Sequence, residues 1–112
     1  MSLTVTENKQ FKQTAEQLFS AAKRAIMALE GKIHKEDANS KQLEAKFDKK
    51  ILGKVLGERT HLEVEITAAS EGSTLALTAY PLNAVGQKLM FGARKGVTQT
   101  VVSWFWAHVD NQ

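Results

Sequence analysis

An apolar stripe at helical spacing near the start of the chain constrains the fold more than any other feature of the sequence. Between Phe11 and Leu29, apolar residues recur at steps of three and four, the period of a helix that buries one face. They are Phe11, Ala15, Leu18, Phe19, Ala22, Ile26 and Leu29. Thr14 and Gln17 have the spacing of a capping box, and Gly31 suits the left-handed position that follows many helices. We therefore predict a helix over residues 14–30.

Apolar residues outside this stripe alternate with polar ones, which is typical of strands that bury one face. Such alternation predicts strands at 3–6, around Ile33, at 43–47, at 61–68 and at 74–80. Turn-forming residues at 37–40 and 70–73 make two antiparallel hairpins of these strands, and Pro81 closes the last one. Residues 51–56 leave two interpretations open, an extension of the third strand or a loop tucked against an edge.

The segment 97–109 is helical by its spacing, with Val97, Val101, Trp104 and His108 on one side. Val102, Trp106 and Val109 widen the apolar arc to about 200° at 100° per residue, whereas a helix on a core needs little more than 100°. We predict that Trp104 faces the sheet and that Trp106 needs a second cover. The candidates are the 89–91 loop, another subunit or an apolar ligand.

Together these elements predict a single α+β domain over 1–112, of order β-α-β-β-β-β-α, with an antiparallel sheet and both helices packed on one face. That face is lined by Leu62, Val64, Ile66, Leu75 and Leu77. At the level of topology the order resembles a half-repeat of the TATA-binding-protein-like fold, and more loosely a shortened helix-grip domain of the kind that binds lipids or steroids. It is also similar to small bacterial domains of uncharacterised function. The resemblance covers nearly the whole chain but includes no shared motif, so it assigns no site residue.

Composition excludes several classes of protein. The chain has no cysteine, so disulfide scaffolds, thiolate metal sites and cysteine nucleophiles are excluded. The first residues lack the pattern of a signal peptide, and no stretch approaches the ~18 apolar residues of a membrane span. We expect a soluble cytoplasmic protein. The net charge is only +3, but cations cluster between Lys46 and Arg59, as a solvated strand end and loop or as a site for an anionic partner.

The best chemical constellation is His61-x-Glu63-x-Glu65 on one strand face. Residues two apart on a strand lie about 6.6 Å apart, and zinc ligands lie about 2 Å from the metal, so at most two neighbours converge. A third ligand would come from across the sheet, for instance His34 or Tyr80. We predict an exposed polar face with no metal, no cofactor and no catalytic residue, and a metal or acid–base site is the alternative.

Other chemistries find less support in the sequence. The serines at 40, 70 and 73 lie in predicted turns, and no nucleophile elbow precedes a helix. The glycine-rich stretch 86–96 could hold an anion near a helix start through Lys88, Arg94 and Lys95, although it matches neither the Walker nor the dinucleotide pattern. Nucleic acid is an unlikely partner, because glutamates at 44, 63 and 65 alternate onto the open face of the sheet.

We therefore predict a non-enzymatic binding module that forms a homo-oligomer or docks on a partner protein, through the C-terminal helix and the preceding apolar loop. The surface residues would be Val102, Trp106, Val109, Leu82, Val85, Leu89, Met90 and Phe91. In the alternative, the sheet curls around the last helix and leaves a cavity for a small apolar ligand. Its mouth would then be formed by Lys88, Arg94, Lys95 and Tyr80.

Overall fold

The structure is a computed structural model that describes residues 3–89 and 96–111. Its elements are β1 (Val5–Phe11), α1 (Ala15–Ala28), β2 (Lys32–Asp37), β3 (Gln42–Phe47), β4 (Lys50–Ile51), β5 (Lys54–Val55), β6 (Arg59–Ala69), β7 (Gly72–Leu82) and α2 (Val97–Asp110). Five strands form an antiparallel sheet in the order β1-β7-β6-β3-β2. This confirms the predicted α+β fold, with the short strands β4 and β5 added as a hairpin of their own. Neither helix in the described ranges is long and apolar enough to cross a membrane.

The start of α1 is fixed by the predicted capping box. The Thr14 hydroxyl accepts a hydrogen bond from the Gln17 N–H at 3.1 Å, and the Gln17 side chain accepts one from the Thr14 N–H at 3.1 Å. The buried face that follows includes Leu18 and Ile26, both fully buried. The apolar stripe read from the sequence is therefore the face that α1 packs on the sheet.

The end of α1 corrects one prediction. Glu30, not Gly31, has the left-handed conformation, with φ 64°. The Gly31 N–H donates to the Ile26 carbonyl at 2.9 Å, and the Glu30 N–H donates to the Met27 carbonyl at 3.0 Å, which is the Schellman pattern. Gly31 is needed for space instead, because a Cβ there would lie 2.6 Å from the Phe47 ring.

The sheet buries one face under the two helices and leaves the other open. The predicted core-facing residues of β6 and β7 are 0–3% exposed. They belong to one cluster with the buried residues of α1 and α2. The opposite, open face carries the alternate residues, and the register sets His61 beside Lys46 of β3 on one side and Tyr80 of β7 on the other.

Helix α2 lies in a different rotation from the one predicted. Phe105 is fully buried, and Val101 and Val109 are 1% exposed, whereas Trp104 and Trp106 are both only partly buried. Phe105 thus takes the central inward position that was predicted for Trp104, while Trp104 is partly buried and packs against the core cluster. The two indoles flank the buried Phe105 side chain, a placement that lets a tryptophan bury its ring while its N–H reaches a polar partner.

Residues 50–55 settle the two interpretations left open by the sequence. They neither extend the third strand nor form an irregular loop, but make a separate hairpin of two strands with two residues each. Its Ile51 is 1% exposed and belongs to the core cluster. Leu52 and Gly53 at its tip have φ 52° and 83°, as a two-residue turn between twisted strands requires. The Leu52 N–H donates to the Glu30 carboxylate at 2.6 Å, so the left-handed end of α1 anchors the hairpin.

Candidate functional site

Two regions of the surface carry the groups that could bind a partner. The first is the histidine cluster, formed by His34, Glu44 and His61 on the open face, with Tyr80 stacked beside them. The second, called the basic apolar end, comprises the β4–β5 hairpin, the start of β6 and residues 82–89, with Lys49 and Gly57 at the base of the hairpin lining one concavity with Leu82 and Leu89.

Strand register assembles the histidine cluster. His61 and Tyr80 are directly paired across β6 and β7, and their rings stack at 4.7 Å between centroids. The His34 ring lies 5.4 Å from the His61 ring on its other side. The Lys88 ammonium lies over the outer Tyr80 ring at 4.9 Å. A row of rings therefore crosses the open face from β7 to β2.

A β-bulge places His34 in this row. The β2–β3 register shifts between Ile33, which pairs with Ala45, and Lys35, which pairs with Glu44. His34 is thus the extra residue, and bulges commonly redirect a side chain beside functional sites. Regular alternation would have spaced the β2 side chains evenly, whereas the bulge sets both His34 and Lys35 near Glu44.

His61 has an unusual environment for a histidine on an open face. It is only 6% exposed, yet its Nε2 has no hydrogen-bond partner among the described residues. The nearest carboxylate oxygens are those of Glu44 at 3.7 Å and Glu63 at 4.0 Å. Burial lowers the pKa of His61, against the opposing effect of Glu63, so the neutral imidazole predominates near pH 7. Burial, followed by the charges of Glu63 and Glu44, raises the pKa of Tyr80.

The structure brings together only part of the predicted constellation. His34 and Tyr80, expected as partners across the sheet, do lie beside His61. Glu65 does not, because its carboxylate accepts a hydrogen bond from the Gln42 amide at 2.9 Å. Glu44 was not among the predicted ligands. Its position depends on the β3–β6 register and the bulge, which no local pattern in the sequence specifies.

The basic apolar end exposes large apolar side chains. Leu52 is 59%, Val55 73% and Val85 78% exposed, and the fourth such residue in the described ranges, Met27 at 61%, lies elsewhere on α1. Isolated exposed apolar residues are ordinary. Two of them lie on one short hairpin and the third on the 82–89 loop, which lines a concavity together with residues 49 and 57 at the base of the hairpin, and this grouping favours a contact surface.

Val85 is held outward by an ordered loop. The Asn83 side chain accepts hydrogen bonds from the N–H groups of Val85 at 3.0 Å and Gln87 at 2.9 Å. The Leu89 N–H donates to the Pro81 carbonyl at 2.9 Å, which ties the end of the loop to the end of β7. The exposure of Val85 is therefore a property of the folded backbone.

Positive charge surrounds these apolar side chains. Six cations belong to this region against three carboxylates, those of Asp48, Glu58 and Glu30, the last of which accepts the Leu52 N–H, so the net charge is +3. The cations are Lys46, Lys49, Lys50, Lys54, Arg59 and Lys88. Arg59 lies 3.6 Å from Asp48, and the Lys49 N–H and the Arg59 charge lower the pKa of Asp48. A concavity of about 360 Å³ lies beside Arg59, and its lining includes Lys49, Leu82 and Leu89.

The surface predicted from α2 is only partly accessible. Val102 and Val109 are 2% and 1% exposed and lie in the core, as does Leu82 at 5%. These three residues were wrongly expected at the surface, because the rotation of α2 and the end of β7 turn them inward. Val85 is exposed and Leu89 is partly buried. Met90, Phe91, Arg94 and Lys95 lie outside the described residues.

Trp106 has a cover that the sequence analysis did not consider. Its indole N–H donates to the Glu7 carboxylate at 2.7 Å, and its ring stacks on Phe11 at 6.2 Å. The Lys9 ammonium lies 5.8 Å from the same ring and 2.7 Å from the Asp110 carboxylate. Strand β1 thus supplies the second cover within the same chain.

Comparisons with known proteins give information about the fold and not about the function. No family model and no curated protein matches the chain. Among solved structures, the crystal structure of Ara h 8.0201 superposes with a TM-score of 0.62 at 15% identity, over 96% of this chain and 95% of that one. This likeness shows the fold alone. The chain shares the overall α+β architecture of that protein, and the resemblance to the TATA-binding-protein-like fold is not confirmed. A DUF4468 family protein from Bacteroides ovatus ATCC 8483 is more distant, with a TM-score of 0.39 at 12% identity, over 96% and 78%.

Proposed function

We propose that this protein is a small non-enzymatic binding module that docks on a partner protein through the basic apolar end. One observation carries the proposal: Leu52, Val55 and Val85 are 59–78% exposed on well-anchored backbone. Leu52 is the most informative, because a left-handed conformation costs a residue other than glycine about 1–2 kcal/mol. Hairpin tips of this type favour Asn or Gly. Neither backbone preference nor burial accounts for a leucine there, whereas an apolar contact with a partner does.

The charge of the region defines the partner. With a net charge of +3 around the apolar side chains, a two-fold contact between copies of this chain would bring like charges together. Acidic groups beside an apolar anchor complement it. We therefore propose a segment of another protein that carries apolar side chains flanked by Asp or Glu, rather than the self-association that the sequence also allowed.

A ligand cavity between the sheet and α2, the alternative from the sequence, has less support. The inner side of α2 is filled by buried side chains, among them Phe105 at 0% and Val101 and Val109 at 1% exposed, which belong to one core cluster with the sheet. An apolar ligand there would have to displace well-packed side chains, which costs several kcal/mol.

The test is selection from a random 12-residue peptide display library on the folded protein, followed by calorimetry on the recovered peptides. We expect peptides with apolar residues beside Asp or Glu, whose affinity falls as salt rises. Leu52→Asn should weaken their binding at least tenfold, while the fold stays intact because Asn-Gly is a preferred hairpin tip. The matched control is Met27→Gln, which removes an equally exposed apolar side chain outside the region and should bind like the wild type.

Three results would overturn the proposal. They are no enrichment of peptides, equal binding by Leu52→Asn, and equal loss in Met27→Gln. A dimer in native mass spectrometry that Leu52→Asn dissociates would replace the partner protein with a second copy of the chain.

A further inference from the structure

A metal site is the inference that the histidine cluster carries furthest, and it is independent of the docking surface. We propose that His34, Glu44 and His61 form a binding site for a divalent transition-metal ion such as Zn²⁺, Co²⁺ or Ni²⁺. Each residue comes from a different strand, and one ligand atom from each lies within 4.8 Å of the other two.

The buried Nε2 of His61 is the observation that points to a ligand. The residue is 6% exposed and its Nε2 has no hydrogen-bond partner among the described residues, so the atom carries an uncompensated desolvation cost. The ring is also locked in place between Tyr80 and His34. A bound cation would use the Nε2 lone pair and remove that cost.

The distances need only side-chain adjustment. With metal–nitrogen and metal–oxygen distances near 2.0–2.2 Å, tetrahedral ligands lie about 3.3–3.6 Å apart. The Nε2 of His61 is already 3.7 Å from Oε1 of Glu44. His34 is exposed and on a bulge, so rotation of its side chain can close the remaining 1–2 Å, roughly one rotamer change.

The donor set defines the class of metal. Two imidazoles and one carboxylate suit zinc, cobalt, nickel or copper(II), whereas calcium and magnesium prefer an all-oxygen set. Three protein ligands leave a coordination position for water or another small ligand. Two lysines oppose the cation: Lys35 lies 3.5 Å from the other oxygen of Glu44, and Lys46 is paired with His61 across the strands. Glu63, 4.0 Å from His61, offsets one of them.

The test uses chelator-treated protein titrated with ZnCl₂ by calorimetry, and with CoCl₂ by visible absorption, which reports the coordination geometry. We expect one ion per chain and a tetrahedral cobalt spectrum. His34→Ala and Glu44→Gln should each weaken binding on the order of 100-fold. Removing a group that only orients a metal ligand already weakens binding by about 10- to 100-fold, so the loss of a ligand should reach the upper end of that range. His61→Phe should abolish binding, and it retains a stacked ring between Tyr80 and His34.

Matched controls separate this site from adventitious histidine binding. His108→Gln removes a histidine on α2, and Glu65→Gln removes a carboxylate from the same open face, so both should bind within about twofold of the wild type. Circular dichroism establishes that each variant is folded. The proposal is overturned if the wild type binds no zinc, if the His34→Ala and Glu44→Gln double variant still binds, or if the control variants lose as much affinity.

Discussion

The orientation of α2 about its own axis leads to the most specific prediction about stability. Phe105 is fully buried on the inner side of α2. Trp104, one residue earlier and about 100° away around the helix, is partly exposed. Truncating a buried phenylalanine to alanine costs about 3–5 kcal/mol. A domain of 112 residues has a total stability of about 6–17 kcal/mol, at roughly 0.05–0.15 kcal/mol per residue. Phe105→Ala should therefore remove a large fraction of the free energy of unfolding.

Urea denaturation followed by far-ultraviolet circular dichroism measures this loss without relying on either tryptophan. For a slope of about 2 kcal/mol/M, a loss of ~4 kcal/mol lowers the midpoint by about 2 M. Trp104→Ala removes a larger side chain but should cost only about 1–2 kcal/mol, because part of the indole stays in water. If Trp104→Ala proves the more destabilising change, the helix lies in the rotation that the sequence pattern predicted and the packing described above is incorrect.

Two further predictions concern the turn regions. Gly31→Ala should cost about 1–3 kcal/mol by overpacking against the Phe47 ring, measured as the shift in urea midpoint, and no loss would show that the ring can move away. Hydrogen bonds from the N–H groups of Ser40 and Asn39 lower the pKa of Asp37, so its stabilisation is present above about pH 3.9 and is lost as the pH falls through the folded-state value. Asp37→Asn should thus be less stable than the wild type at pH 7, and this difference in the free energy of unfolding should become smaller at pH 2.5. An equal difference at both pH values would refute this.

Local pattern was sufficient for most of the fold. The capping box at Thr14 and Gln17, the apolar stripe of α1 and the alternation of β6 depend on neighbours along the chain, so they could be predicted from spacing alone. Helix α2 could not be oriented, because its apolar arc is so wide that several rotations bury a similar area. The contacts that accompany the observed rotation come from far along the chain, among them the hydrogen bond from the Trp106 N–H to Glu7 of β1, 99 residues away.

The candidate site was less accessible to sequence reasoning. His34 and Tyr80 could be suggested as neighbours of His61, since strands that pair bring residues of one face together. Glu44 could not, because its place beside His61 depends on the β3–β6 register, which no local pattern in the sequence specifies. Likewise, the exposure of Val85 depends on hydrogen bonds to the Asn83 side chain. Hydropathy alone could not separate this exposed residue from the buried apolar residues of the same segment.

The bulge at His34 also bears on how the molecule avoids aggregation. Strands β1 and β2 are the two outer strands of the five-stranded sheet, and an outer strand with regular pairing offers a row of unused N–H and carbonyl groups on which a foreign chain can assemble. The irregularity at His34 breaks that row, and the exposed charges of Lys32 and Lys35 on either side repel a second copy. Deleting His34 would restore the repeat and turn β2 into a template for strand addition. The same residue thus protects the solubility of the sheet while it supplies an imidazole to its open face.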